Sequence, residues 1–477
     1  MSLVASFQIL TLQSLLKMEI ANNDTNYKVV ISNKQILSIA LPISLAILVP
    51  QINFIINTIF LGHYGEGSFA HHGKKFLALG GITGVYYLIF AVVGNGLNNG
   101  LQALIARRAG EDRIEEIGKL FSQGVRVALI FAALGILATY FIAPVILKYS
   151  LSSAELRDEA VRFLKIRIWG LPFLYIYQMR NALLVGTNQS KFLIYGTLSE
   201  TVVNVILDYG LIFGHFGLPE MGFNGAAVAS IFAEATGMFV VFLVIHAKGV
   251  SKKLYLYKNF GFDFSVTRLI LVQSSPLIFQ YAISVTTWEF FYILIEHHGE
   301  LALAVSNTMR TIFGVFGVFT WSFAATTSTM VSNIIGQGKK EEVIGLIKKI
   351  IKLSSGFAVI IAILLNVFPR LFLSVYGQDE EFVRTAIPVI RVISTALILM
   401  SFSTIWLNAV TGTGNTTVNL AIEFITIIFY CIYVYFILQY WNLSILYGWM
   451  SEWVYWTSTF VLSFMYMRSG RWKNKVI

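Results

Sequence analysis

Apolar runs of about 20 residues, the length a helix needs to cross a hydrocarbon layer roughly 30 Å thick, recur along nearly the whole chain. Twelve can be marked, at approximately 36–61, 77–101, 119–147, 160–184, 191–214, 223–247, 268–295, 301–333, 345–374, 385–411, 417–440 and 444–467. With 56% hydrophobic and 13% charged residues over 477 positions, the apolar surplus is too large for one or two soluble cores. The expected fold is therefore an all-α integral membrane protein of twelve transmembrane helices.

The net charge of +10 does not point to nucleic acid, because the basic residues are grouped by loop. Arg107, Arg108, Arg113 and Lys119 share one connection, Lys248, Lys252, Lys253 and Lys258 another, and Lys339, Lys340, Lys348, Lys349 and Lys352 a third; Arg468, Arg471, Lys473 and Lys475 close the chain. With both termini cytoplasmic, all of these face inward, as the positive-inside bias requires. The expected setting is the inner (plasma) membrane. The single cysteine, Cys431, lies in an apolar run and supports no disulfide framework. Residues 1–35 lack the basic leader and cleavage site of a signal peptide and read as an N-terminal extension, expected to be dispensable.

The second half repeats the first. ARRAGEDRIEEIGK (106–119) lies over NIIGQGKKEEVIGL (333–346), and GTNQS (186–190) over GTGNT (412–416), both at an offset of 226, while Pro42 falls over Pro276 at an offset of 234. Two halves with an even helix count enter the membrane in the same orientation, related by a pseudo-two-fold axis along its normal. That is a plan used by secondary transporters. The division expected is a first lobe at 36–247, a linker at 248–266, a second lobe at 267–467 and a basic tail at 468–477.

Polar residues inside spans carry the functional signal, because an ionisable group there costs at least about 2.5–3.5 kcal/mol on insertion scales. In SETVVNVILDYGLIFG (199–214), Glu200, Asn204 and Asp208 fall at i, i+4 and i+8, on one helical face. Asn53 and Asn57 in helix 1, and Ser230 and Glu234 in helix 6, add oxygen donors of the kind that suits a hard cation or a shared proton. In the second half, Glu289 of helix 7 and Arg310 of helix 8 lie at similar depth in one hairpin and are expected to pair or to form a second site. Neither His71-His72 nor His297-His298 has metal-site spacing, and GQGKK (336–340) lacks the context of a phosphate loop. No metal, no cofactor and no enzymatic activity are expected, and the energy source is an ion gradient.

NTIFLGHYGE (57–66), ALIARRAGED (103–112), NVILDYGLIFGHFGLPEMGFNGAAVAS (204–230) and GTGNTT (412–417) resemble the multidrug and toxic compound extrusion (MATE) transporters. The resemblance spans about 35–467. It implies a monomeric antiporter that exports small organic compounds, often cationic or amphipathic, in exchange for Na⁺ or H⁺ by alternating access. Members with a first-lobe cation site build it from positions that correspond here to Asn57, Asn204, Asp208 and Ser230. Asn57 departs from the family's usual Asp and removes one charge. Glu289 resembles the helix 7 Glu of NorM-type members, whose helix 10 acid has no counterpart in ILMSFSTIWLNAV (398–410), so a second-lobe site of that type is incomplete. A flippase for a lipid-linked oligosaccharide or cell-wall precursor shares the architecture, but it calls for several cleft cations to hold a diphosphate. The clearest intramembrane cations here are Arg180 and Arg310. An integral-membrane transferase would need clustered loop acids, whereas Glu111, Asp112, Glu115 and Glu116 are interleaved with bases.

Overall fold

A computed structural model describes residues 27–63, 70–151, 153–258, 261–374 and 379–475, with the side chains of 52–59, 61–63, 70–78 and 150 outside the described residues. The first lobe comprises α1 (Asn33–His63), α2 (Ala70–Gly110), α3 (Ile114–Phe141), α4 (Ala154–Arg167 and Leu171–Gly186), α5 (Leu193–Phe213) and α6 (Phe223–Ala247). The second comprises α7 (Phe264–Glu296), α8 (Glu300–Gly336), α9 (Val343–Val367), α10 (Glu380–Thr413), α11 (Thr416–Val434, followed by a π turn at Tyr435–Tyr440) and α12 (Ser451–Arg468). Among the described residues, nine helices are long and apolar enough to span a membrane on their own. The other three are α4, α5 and α12, which carry the ionisable groups Arg167, Asp208 and Glu452.

Proline sets several boundaries. The run expected as one span at 119–147 ends at Phe141, and a new helix, Ala143–Ser150, starts with Pro144 in its first turn. The run at 345–374 likewise ends at Val367 before the short helix Pro369–Ser374. A proline lacks the N–H an ongoing helix would need but fits the first turn of a new one. Pro172 does the same to α4, and the two halves of that helix are joined by a single 3₁₀ turn, Ile168–Gly170.

The two lobes are fastened together at the end that carries the described termini. Along α2, Gly100 packs on Ser274 of α7 and Gly110 on Asn333 of α8 so tightly that a Cβ would stand 2.2 and 2.1 Å from Ser274 Oγ and the Asn333 carbonyl oxygen. Small residues allow such close backbone approach between membrane helices. Polar bonds cross the same seam: Gln102 Nε2 donates to Thr329 Oγ1 at 2.7 Å, and Asn99 Nδ2 to the Tyr281 hydroxyl at 2.5 Å. The buried Arg107 guanidinium reaches the Thr413 carbonyl at 3.2 Å, at the C-terminus of α10.

The stretch before α1 is also part of this seam. Asn333 Oδ1 accepts from Val29 N at 3.0 Å, Asn333 Nδ2 donates to the Tyr27 carbonyl at 3.0 Å, and Gln337 Nε2 donates to the Val29 carbonyl at 2.9 Å. From Tyr27 on, the supposed extension is therefore packed against the second lobe; residues 1–26 lie outside the described residues. Gly261 and Asp263, in the connection between the lobes, likewise bond to α3. Gln123 Nε2 donates to the Gly261 carbonyl at 2.7 Å, and Asp263, the N-cap of α7, pairs with Lys119.

Candidate functional site

Helices α5 and α6 lie against each other on glycine. A Cβ on Gly225 would come within 2.6 Å of the Leu211 carbonyl oxygen, and one on Gly196 within 3.3 Å of the Gly237 carbonyl oxygen. The polar face of α5 points into this seam. Asp208 is 0% exposed and Asn204 2%, while Glu200 is half-buried, with its carboxylate in the space left by Gly237, where a Cβ would meet Oε2 at 2.9 Å. Both Asp208 carboxylate oxygens are buried without a hydrogen-bond partner among the described residues. Ser230 is half-buried on α6, one turn before Glu234.

Glu234 has what Asp208 lacks. Its carboxylate takes two hydrogen bonds from Arg167, at 2.9 Å (Nη1 to Oε2) and 2.5 Å (Nη2 to Oε1). The pair is built by the break in α4, because a Cβ on Gly170 would stand 2.2 Å from Glu234 Oε2 and 2.4 Å from Arg167 Nη1. Tyr87 of α2 completes it: its hydroxyl donates to Glu234 Oε1 at 3.4 Å, and the guanidinium lies over its ring, 3.9 Å from the centroid. Of the acids Glu200, Asp208 and Glu234, Glu234 is the one ion-paired among the described residues.

The arrangement has a direct chemical consequence. A carboxylate sealed from water and from internal donors is costly as an anion, so Asp208 calls for a proton or a small cation in this conformation. The structure brings Asp208, Asn204 and Glu200 to one face as the spacing requires. Asn57 lies in α1, and its side chain, like that of Asn53, is outside the described residues; so are His71 and His72.

Two readings need correction. Glu289 and Arg310 are not ion-paired: Arg310 is exposed and its guanidinium lies 5.4 Å from the Tyr292 ring centroid, with the aromatic ring offering the cation an alternative to the carboxylate. Arg180 and Arg310 are also not the telling cations. Arg167 is, and its signal, an arginine in IRIWGLP (166–172), is masked by neighbouring Arg162 and Lys165, which make that turn look like a helix end. Glu423 and Glu452 of the second lobe, 0% and 4% exposed, are further functional candidates that the sequence patterns above do not single out.

With this geometry in place, comparison with known proteins is decisive. The MatE family profile matches residues 42–210 and again 276–436. The chain belongs to the MatE family. The two matches begin 234 residues apart and end 226 apart, the same offsets that relate Pro42 to Pro276 and GTNQS to GTGNT. The chain is 24% identical over 454 residues to a probable multidrug resistance protein NorM of Thermotoga maritima, covering 93% of this chain and 94% of that one. Its fold matches the structure of a mutant form of the Vibrio cholerae MATE transporter VcmN, with a TM-score of 0.83 at 16% identity over 93% of this chain and 98% of the other. A transporter of the MOP superfamily from Pyrococcus furiosus matches with a TM-score of 0.80 at 17% identity, over 93% and 97% of the two chains. This MatE protein is a multi-pass membrane transporter with the two-lobed, twelve-helix fold.

Proposed function

We propose that the protein is a secondary antiporter that exports small organic compounds, cationic or amphipathic, in exchange for Na⁺ or H⁺. We read it as a monomer of the inner (plasma) membrane with cytoplasmic termini, and the grouping of its basic loops supports that orientation. Asp208 is the coupling group, with Asn204, Ser230, Glu200 and Asn57 around it. The observation that carries this reading is the Asp208 carboxylate, fully buried with neither oxygen hydrogen-bonded among the described residues. An ion can drive a conformational change only by binding the two states differently. A carboxylate dry in one state and wet in the other supplies that difference. The cleft closed at the terminal end is the conformation in which Asp208 is dry, and opening α5 and α6 to water is the step its neutralisation controls.

The test is efflux from proteoliposomes under an imposed gradient of either pH or Na⁺. Asp208→Asn keeps the shape and cannot ionise, so driven efflux is expected to fall to the undriven rate while expression is retained. The gradient that drives the wild type names the ion. Driven efflux at the wild-type rate from Asp208→Asn protein would overturn the assignment.

A further inference from the structure

The second lobe holds a carboxylate more deeply enclosed than that of Glu289. Glu423 of α11 is 0% exposed, and donors from two other helices surround it. Ser284 Oγ of α7 donates to Oε1 at 2.6 Å, the Tyr455 hydroxyl of α12 donates to the same oxygen, and Gln280 Nε2 of α7 donates to Oε2 at 3.4 Å. Asn419, one turn before Glu423, donates through Nδ2 to Gln280 Oε1. Among the described residues, Asn419 Oδ1 and, one turn after Glu423, Thr426 Oγ1 are buried without a hydrogen-bond partner. Among the described residues no lysine, arginine or histidine nitrogen lies within 4.0 Å of the Glu423 carboxylate. The other titratable groups facing this cradle are Tyr455 and Glu452 of α12 and Tyr281 of α7.

The internal repeat gives the location meaning. The helices that supply this cradle, α7, α11 and α12, are the repeat equivalents of α1, α5 and α6, the three that carry Asn57, Asn204 with Asp208, and Ser230. At the offset of 226, Glu200 falls on Thr426, so Glu423 stands one turn from the equivalent of an acid in the first lobe. The residues differ between the lobes, but the helix trio is the same.

We propose that Glu423, with Ser284, Gln280, Asn419, Thr426 and Tyr455, forms a second site for a monovalent cation, a proton or Na⁺, in the second lobe. Hard oxygen donors around one carboxylate fit that chemistry. One negative charge neutralises one monovalent ion and would leave a divalent ion in excess. The site also adjoins the seam between the lobes. Gln280 is followed directly by Tyr281, whose hydroxyl accepts from Asn99 of the first lobe at 2.5 Å. Loading Glu423 changes what Gln280 must donate to, and so acts on α7 where it meets α2. This extends the antiport reading to the second lobe.

The experiment is infrared difference spectroscopy of the full-length protein in lipid, recording carboxyl absorption as buffer is switched between acid and alkaline pH, and between K⁺ and Na⁺ at fixed pH. Asp208→Asn and Glu423→Gln are each expected to remove one component of the carboxyl response, over the background of the other acids, and the double variant is expected to lose both components. A response to Na⁺ at fixed pH identifies Na⁺ as the ion, and a response to pH alone identifies the proton. If adding Glu423→Gln leaves the difference spectrum of Asp208→Asn protein unchanged, the second site is refuted and the first-lobe reading stands. If Glu423→Gln removes a response that Asp208→Asn leaves intact in amplitude, the first-lobe assignment fails and the second site stands. Ser284→Ala covers the case of poor folding by Glu423→Gln: loss of the 2.6 Å donor is expected to shift the half-saturating Na⁺ concentration or pH midpoint by about tenfold, and an unchanged value overturns the proposal.

Discussion

The Arg167–Glu234 pair allows a test whose size and pH dependence both follow from the structure. Arg167→Met strands Glu234, 6% exposed, with the Tyr87 hydroxyl at 3.4 Å as its remaining donor. The buried anion can escape by taking up a proton. From the ordinary glutamate value, that costs about 4 kcal/mol at pH 7.5 and about 2 kcal/mol at pH 5.5, in line with the ~3–5 kcal/mol seen when one partner of a buried pair is removed. In this variant the folded state binds the extra proton, so stability is lost as pH rises. At roughly 2–4 °C per kcal/mol for a unit the size of one lobe, the melting temperature should fall on the order of 10 °C at pH 7.5 and about half that at pH 5.5. Glu234→Gln behaves differently: it strands a guanidinium that cannot deprotonate, so its cost should not be relieved by acid. The double variant removes both charges and is expected to be milder than Arg167→Met at pH 7.5. Thermal unfolding of purified protein, followed by size-exclusion chromatography at the two pH values, reads all of this. Equal loss for Arg167→Met at both pH values, or a double variant less stable than either single one, would refute the ion-pair argument.

Two further predictions concern how the lobes are held. Gly110→Ala places a methyl group 2.1 Å from the Asn333 carbonyl oxygen, a backbone atom that cannot rotate away, so the seam must open; hydrogen–deuterium exchange should rise at residues 100–110 and 329–336, and unchanged protection would show that α2 and α8 do not rely on this contact. At the N-cap of α7, Lys119 first, then the Val266 N–H and the Ser265 hydroxyl, hold the Asp263 carboxyl well below the usual carboxylate range. A depressed value contributes stability above the ordinary carboxylate pKa of about 3.9 that is lost as pH falls through the folded value. Asp263→Asn should therefore lower the melting temperature at neutral pH and flatten its acid dependence, and an identical acid profile in the variant would count against the cap.

What could be read in advance divides along the range of the interactions. Helix content and the shared face of Glu200, Asn204 and Asp208 are local properties of hydropathy and helical period; the structure puts Asn204 and Asp208 of that face in the interior, while two expected spans end early, at Phe141 and Val367, before Pro144 and Pro369. Partner choice is not local. Glu289 and Arg310 share a hairpin and opposite charge, yet Tyr292 takes the guanidinium instead. Glu234 finds Arg167, 67 residues earlier, because Pro172 breaks α4 and Gly170 clears space for both side chains. Nothing in the spacing of these residues states that they meet.

Glu423 marks the same divide more sharply. A lone acid in AIEFITIIFY (421–430) carries the signal that singles out Glu200, an ionisable group inside an apolar span, and is legible by that test. Its donors are not, since Ser284 lies 139 residues earlier and Tyr455 32 residues later. The repeat supplies the missing link, because it maps α7, α11 and α12 onto the helices that surround Asp208. In a chain built from two copies of one six-helix plan, a carboxylate buried among one trio of helices makes the equivalent trio the place to look for another. The difference between the two sites then follows from their partners. Among the described residues Asp208 has no hydrogen-bond donor and depends on a proton or a cation for neutrality, whereas Glu423 is supplied with three donors that favour its charged form, so the first lobe is the one expected to take up its ion more readily.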